Sequence, residues 1–136
     1  MRVVIDTNVL LVSIPSNSKY RIIFDKFLAK QYSIIISNDI LAEYAEIFSQ
    51  KTNPTVSTNI VEMLMTARNV EKQDIFFKWQ LIEKDKDDNK FVDCAVAGNA
   101  DFIVTNDKHF NILKTIGFPP INVISINEFI EMLIDK

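Results

Sequence analysis

The N-terminal stretch MRVVIDTN, residues 1–8, decides the fold class of this 136-residue chain. Residues 2–5 (RVVI) form a short β-branched run bounded by polar residues, which is typical of a strand buried on both faces of a parallel sheet. The pattern recurs at 33–37 (SIIIS), 102–105 (FIVT) and 122–125 (NVIS). These runs predict the strands of one parallel sheet.

Segments with helical spacing separate the predicted strands, and this alternation predicts an α/β domain with helices on both faces of the sheet. Ser37 or Asn38 is expected to cap the second helix, Asn53 the third, and Asn127 the last. No linker or repeat interrupts the chain, so residues 1–136 are expected to form a single domain. The predicted helices cover 20–30, 39–50, 55–70, 75–82, 89–98 and 128–135.

Four acidic residues occupy related places in this pattern. Asp6 and Asp107 come just after predicted strands, whereas Glu43 and Asp88 lie near helix starts. Because the carboxyl ends of parallel strands face one crevice, these four side chains are candidates for a common cluster. Carboxylates in one crevice repel each other strongly, and either raised pKa values or a hard divalent cation must relieve the repulsion. Oxygen ligands alone favour Mg²⁺ or Mn²⁺ over zinc.

Helical geometry indicates which acids point toward the sheet. Glu43 lies at the edge of an apolar stripe, and Glu46 lies nearly opposite to it. By the same geometry Asp88 continues the apolar stripe of its helix, whereas Asp93 is expected to face solvent. Asp87 is a less favoured neighbour that could cap the helix or assist the cluster.

The composition excludes most competing chemistries. With two glycines, one histidine and one cysteine, the chain has no phosphate-binding glycine loop and no Cys/His zinc site. The net charge is −3, so no global positive field attracts nucleic acid, although four lysines near the acidic positions could form a local basic rim: Lys84, Lys86, Lys90 and Lys108. The N-terminus resembles neither a signal peptide nor a membrane span, which favours the cytoplasm.

Each of these residues also has an ordinary structural interpretation. Asp6, Asp88 and Asp107 could be caps or turn residues, and Glu43 a surface glutamate. The occurrence of all four, in a chain with no other catalytic residues, favours the cluster. The methionines Met63, Met65 and Met132, the phenylalanines and Cys94 are expected in the core. Trp79 is expected there too, with a stacking surface for a base as the alternative. Asp101 is expected in a turn, and His109 on a polar helix face that could contact a phosphate together with Lys108.

Four sequence blocks resemble the PIN-domain family, in particular the small single-domain toxins of toxin–antitoxin pairs. They are VVIDTNVLL, ISNDILAEYAEIF, DKDDNKFVDCAVAGNADFIVTNDKHF and VISINEFIEML, which together span nearly the full chain. The resemblance implies a three-layer α/β/α sandwich and a metal-dependent ribonuclease using Mg²⁺ or Mn²⁺. It assigns Asp6, Glu43, Asp88 and Asp107 as the family's four acids, and Thr7, Asn8 and Thr105 as supporting positions. Similar members often have glycine where this chain has Asn106, which could narrow the cleft.

The activity implied by the resemblance is hydrolysis of an RNA phosphodiester, with a cognate antitoxin as partner and a homodimer as a further possibility. Two alternatives remain open at this point. A catalytically silent domain of the same fold could bind RNA or protein. An aspartate-nucleophile phosphatase is less favoured, because that chemistry needs a second aspartate where this chain has Asn8.

Overall fold

A five-stranded parallel sheet forms the centre of the structure, a computed structural model that describes residues 1–135. Lys136, the last residue of the predicted 1–136 domain, lies outside the described residues. The strand order is β3-β2-β1-β4-β5, and the strands are β1 (Arg2–Ile5), β2 (Ser33–Ile36), β3 (Val70–Lys72), β4 (Phe102–Val104) and β5 (Val123–Ile124).

Helices cover both faces of this sheet, so the sheet and the two helical layers form the three layers expected for an α/β/α sandwich. The chain first builds outward from β1 to β2 and β3, then returns to the other side of β1 for β4 and β5. Since such crossovers are right-handed, the change of direction places helices on opposite faces. The helices are α1 (Thr7–Ser13), α2 (Arg21–Leu28), α3 (Asn38–Lys51), α4 (Pro54–Thr66), α5 (Asn89–Ala97) and α6 (Ile126–Ile134), with 3-10 segments at Lys86–Asp88 and Lys108–Thr115.

The change of direction falls between β1 and β4, which pair directly from Val3↔Phe102 to Ile5↔Val104. In open parallel sheets, ligands bind in the crevice beyond the carboxyl ends of the strands at this point. The residues that follow Ile5 and Val104 therefore stand at the place where a site is expected.

The predicted secondary structure was wrong in and around the segment between β3 and α5. Residues 75–82 were predicted to be helical but have no regular secondary structure, and Val70, predicted as the last residue of a helix, begins β3. Side chains of α5 satisfy the backbone of this segment: Trp79 N donates to Asp93 Oδ1 at 3.0 Å, and Ile82 N donates to Asn89 Oδ1 at 2.9 Å. These contacts from distant residues take the place of helical hydrogen bonds.

The core lies on both faces of the sheet, where Val3, Val4 and Ile5 have no exposed surface. Cys94 is buried as predicted, and Trp79 is half-buried. The prediction of a core position was wrong for four large apolar residues, all exposed: Met65, Phe76, Phe77 and Phe118. Phe77 and Phe118 lie edge-to-face against Trp79 at the surface.

Side-chain caps begin several helices as the sequence indicates. Ser37 accepts a hydrogen bond from Ile40 N, and Asn53 accepts one from Val56 N ahead of Pro54. The prediction for the last helix was wrong, because Ser125 caps α6 through a reciprocal pair of hydrogen bonds with Glu128. The helix therefore begins one residue before Asn127.

Candidate active site

Asp6 lies directly after β1, and its backbone N donates to Val104 O at 3.0 Å, which extends the pairing of β1 with β4. Its side chain is 8% exposed and accepts a hydrogen bond of 2.7 Å from Thr105 Oγ1. Burial raises the pKa of the Asp6 carboxyl, and the nearby charges of Asp107 and Glu43 raise it further. Asp6 is thus a buried carboxylate surrounded by other acids.

Asp107 stands beyond the carboxyl end of β4. Its backbone N donates to Thr105 Oγ1 at 3.0 Å, and its carboxylate accepts a hydrogen bond from His109 N at 2.9 Å. Thr105 therefore orients both the Asp6 carboxylate and the backbone that carries Asp107. The Asp107 side chain is half-buried and faces the same crevice as Asp6.

Glu43 extends from α3 toward the same region. Thr7 Oγ1 donates a hydrogen bond to Glu43 Oε2, and Lys90 Nζ lies 2.8 Å from Glu43 Oε1. Glu46, one turn along the helix, is exposed, as the helical geometry predicted. Lys90, expected in a basic rim, is thus an ionic partner of the glutamate.

Asp88 ends the 3-10 segment before α5 and is buried. Its pKa is raised to about 7, mainly by burial and then by the charges of Asp107, Asp85 and Asp6. His109 Nδ1 lies 3.4 Å from both Asp88 Oδ2 and Asp107 Oδ1. His109 lies on the 3-10 segment and is partly exposed, and its ring stands between these two acids.

The four predicted acids thus come from four separate parts of the chain. Asp6 and Asp107 line one cavity, and Glu43 and Asp88 lie close enough for their carboxyl charges to interact with these two. The polar positions around them have distinct partners. Thr7 holds Glu43, and Thr105 holds Asp6. Asn8 is exposed and lines a cavity of about 370 Å³ together with Asp6, Asp107 and Asn106. Asn106 Oδ1 accepts a hydrogen bond from Ile126 N at 3.0 Å, so this side chain ties the crevice to the start of α6.

Asp85 is a further acidic residue that the sequence reasoning did not single out. One donor atom from each of Asp85, Asp88 and His109 lies within 4.8 Å of the others, an arrangement that could hold a metal ion. The spacing of three residues between Asp85 and Asp88 in DKDD was the available signal. This spacing places two side chains on the same face only if the segment is helical. His109 was identifiable only from the tertiary contact.

Three other aspartates lie outside the set of four acids. Asp93 was expected to face solvent, and this was wrong: it is 5% exposed and accepts the hydrogen bond from Trp79 N. Burial raises the pKa of Asp93. Asp101 lies at the amino edge of the sheet, where its carboxylate accepts a hydrogen bond from Arg2 N. Asp87 is exposed.

The chemistry of the donor set fits a divalent cation. Asp6 and Asp88 have raised pKa values because burial and neighbouring acids disfavour their charged forms. A cation among these oxygens supplies the missing compensation, and carboxylate oxygens suit Mg²⁺ or Mn²⁺. The sequence assigned Asp6, Glu43, Asp88 and Asp107 as its ligands, whereas Asp85, Asp88 and His109 have donor atoms within 4.8 Å of one another. Separately, no helix within residues 1–135 has the length and apolar character needed to cross a membrane.

Solved structures share this fold. VapBC2 from Rickettsia felis, bound to a DNA fragment from its promoter, has 22% identity and a TM-score of 0.62, covering 92% of this chain and 98% of that one. VapC20 from Mycobacterium tuberculosis, a toxin that cleaves the sarcin-ricin loop, has 10% identity and a TM-score of 0.61, covering 88% and 98%. VapBC-1 from nontypeable Haemophilus influenzae has 16% identity and a TM-score of 0.58, covering 93% and 99%.

At these identities the similarity of the structures concerns the fold. The comparison with curated proteins gives no match. The sequence profile of the PIN domain matches residues 2–109, well over half of the chain and the part that contains all four acids. The chain therefore belongs to the PIN-domain family.

Proposed function

We propose that this protein is a metal-dependent endoribonuclease, the toxin of a toxin–antitoxin pair, formed by a single domain of residues 1–136. The observation that carries the proposal is that Asp6 and Asp107 line one cavity in a PIN-domain chain, with Glu43 and Asp88 close enough for their carboxyl charges to interact with these two. The Rickettsia and Haemophilus structures are VapBC proteins, and the Mycobacterium structure is a toxin that cleaves the sarcin-ricin loop. These relatives support the toxin assignment.

The acids would hold Mg²⁺ or Mn²⁺, with Asp6 as the central ligand. When bound, the cation supplies neutralisation of the scissile phosphate and activation of the attacking water. Thr105 holds the Asp6 carboxylate through a 2.7 Å hydrogen bond, and Thr7 holds Glu43. Hydrogen-bond donors of this kind fix the orientation of metal-binding carboxylates.

Lys90 limits the negative charge of the crevice through its 2.8 Å contact with Glu43. Without the positive charge of this lysine, an RNA phosphate approaching four carboxylates would meet stronger repulsion. We propose that Lys90 holds the Glu43 carboxylate in its orientation, and that Asn8, which is exposed beside Asp6, contacts the substrate or supports a ligand.

The partner proposed for a toxin of this type is a cognate antitoxin that covers the acidic crevice, and the protein could also form a homodimer. Expression of the wild-type chain in bacteria should arrest growth, and Asp6→Asn should relieve the arrest. Co-expression with the product of the adjacent gene should restore growth and give a complex on purification. Toxicity that persists in Asp6→Asn would contradict the assignment.

The direct test of the activity is digestion of RNA by the purified protein in Mg²⁺, in Mn²⁺ and in chelator. We expect cleavage with either cation, none in chelator, and loss of cleavage in Asp6→Asn, with unchanged circular dichroism. Asp101→Asn is the matched control, because it makes the same substitution at the opposite edge of the sheet, away from the acidic crevice. Equal activity in wild type and Asp6→Asn would defeat the proposal and favour a silent binding domain.

A further inference from the structure

A groove beside the acidic crevice has no role in the function proposed so far. It has a volume of about 620 Å³ and lies between residues 81–84 and the 3-10 segment Lys108–Thr115. We propose that this groove, termed the lysine groove, binds nucleotides of a single-stranded RNA next to the cleavage point. The inference rests on the proposed ribonuclease function and specifies where its substrate lies.

The charge of the groove suits a phosphate backbone. Lys84 and Lys108 line it, both side chains are exposed, and neither forms an ion pair within residues 1–135. Lys90 differs from them, because Glu43 already neutralises it. Glu83 is the carboxylate among the lining residues, so two lysines against one glutamate leave the lining of the groove with a net positive charge. In a protein of net charge −3, a polyanion can recognise such a local surplus of positive charge.

The remaining surface of the groove is partly apolar. Ile112 is 47% exposed, and the half-buried Leu81 forms part of the opposite wall. An apolar surface between cations suits the faces of nucleobases, which are apolar above and below the ring plane. The volume falls within the range of about 300–1,000 Å³ that is common for small-molecule sites. Unstacked nucleotides can enter such a groove, whereas a duplex keeps its bases stacked inside the helix.

The position of the groove links it to the acids. His109 lines the groove, and its Nδ1 lies 3.4 Å from Asp88 Oδ2 and from Asp107 Oδ1. A strand held by Lys84 and Lys108 would therefore pass directly into the acidic crevice. Residues 81–84 belong to the irregular segment that α5 anchors, so the wall of the groove is held in place by the contacts of Ile82 with Asn89.

The test compares two double variants that remove the same charge. Lys84→Ala/Lys108→Ala changes the groove. Lys51→Ala/Lys114→Ala is the control, because Lys51 ends α3, and Lys114, although it lies on the same 3-10 segment as Lys108, lines a different cavity. The substrate is a short single-stranded RNA that the wild type cleaves, assayed in Mg²⁺ or Mn²⁺ over a series of salt concentrations.

For the groove variant we expect KM to rise on the order of tenfold, with kcat nearly unchanged. The slope of log(kcat/KM) against log[salt] should become shallower by about 1.4, since each phosphate contact on a single strand contributes about 0.7. The control variant should resemble the wild type in both. As a second measurement, RNA carrying 4-thiouridine should crosslink to residues 81–84 or 108–115 in the wild type.

The outcomes separate the two proposals. If the wild type cleaves RNA but the two double variants have equal KM and equal salt slopes, the lysine groove is not the RNA site while the ribonuclease function stands. Crosslinks confined to other surfaces would overturn the groove in the same way, and would leave it as a surface for a protein partner. If the wild type cleaves no RNA with either cation, both proposals fall together.

Discussion

Thr105 Oγ1 donates a 2.7 Å hydrogen bond to Asp6 Oδ2 although 99 positions separate the two residues in the chain. Both lie just past neighbouring parallel strands, and the same hydroxyl accepts a hydrogen bond from Asp107 N. One threonine side chain therefore fixes the relative positions of two acids that come from different strands.

Replacement of Thr105 by valine should destabilise the protein by about 1–3 kcal/mol, because a buried carboxylate loses its hydrogen-bond donor while the volume of the side chain is nearly kept. Urea unfolding at pH 7 in chelator measures the effect. Thr105→Ser is the control that keeps the hydroxyl, and it should lie much closer to the wild type. If the valine and serine variants are equally stable, the hydrogen bond has no net effect.

The stability of the metal-free protein should fall as the pH rises through 7. Asp88 has a pKa of about 7 in the folded protein and an ordinary value near 3.9 when unfolded, so the folded state binds the extra proton between these values. The contribution of Asp88 is fully favourable below about pH 4 and is lost as the pH passes about 7. The raised pKa of Asp6 acts in the same direction.

Asp88→Asn should remove much of this dependence. We expect the variant to be more stable than the wild type at pH 8 in chelator, by about 1–3 kcal/mol, and no more stable at pH 4. Thermal unfolding across this pH range measures the difference, with exposed Asp87→Asn as the control. A pH profile of Asp88→Asn that matches the wild type would contradict the origin assigned to the pH dependence.

Glu43→Gln should weaken Mn²⁺ binding, whereas Glu46→Gln on the same helix should not. Glu43 extends toward Asp6 and is held by Thr7, while Glu46 is exposed on the other side of α3. Loss of one carboxylate ligand should reduce the affinity on the order of tenfold or more, measured by calorimetry. Saturation with cation at a hundred times Kd should stabilise the wild type by about 2.7 kcal/mol. Equal affinities in the two variants would remove Glu43 from the set of ligands.

Asp93→Ala should destabilise the protein by about 1–3 kcal/mol, because Trp79 N would lose its buried acceptor. Asp93→Asn keeps an acceptor oxygen at the same place and serves as the control. Hydrogen exchange should show faster exchange of the Trp79 amide in the alanine variant only. If both variants behave like the wild type, the contact does not anchor residues 75–82.

The resemblance of the four sequence blocks and the placement of short β-branched runs predicted the fold class correctly. Each run is too short and too apolar to lie anywhere except between two layers of helices, so the local pattern and the tertiary structure agree. Val70–Lys72 escaped prediction because its last two residues are exposed at the edge of the sheet and its sequence, VEK, lacks a buried apolar run.

Residues 75–82 show the converse case. IFFKWQLI has the composition of a buried helix, yet Phe76 is 93% exposed and Phe77 64% exposed. The segment stays irregular because Asp93 and Asn89 on α5 bond its backbone. Such contacts join residues 7 to 14 positions apart and leave no trace in the periodicity of the segment itself.

The sequence by itself determined that Asp6 and Asp107 stand at the carboxyl edge of a parallel sheet, since each follows a strand whose direction is fixed by the connections. Only the tertiary structure decided what surrounds them: Thr105 against Asp6, Lys90 against Glu43, and His109 between Asp88 and Asp107. The physical reason is that periodicity specifies the face on which a side chain lies. Its hydrogen-bond partners and its pKa depend on groups brought within a few ångströms by the packing of the whole chain.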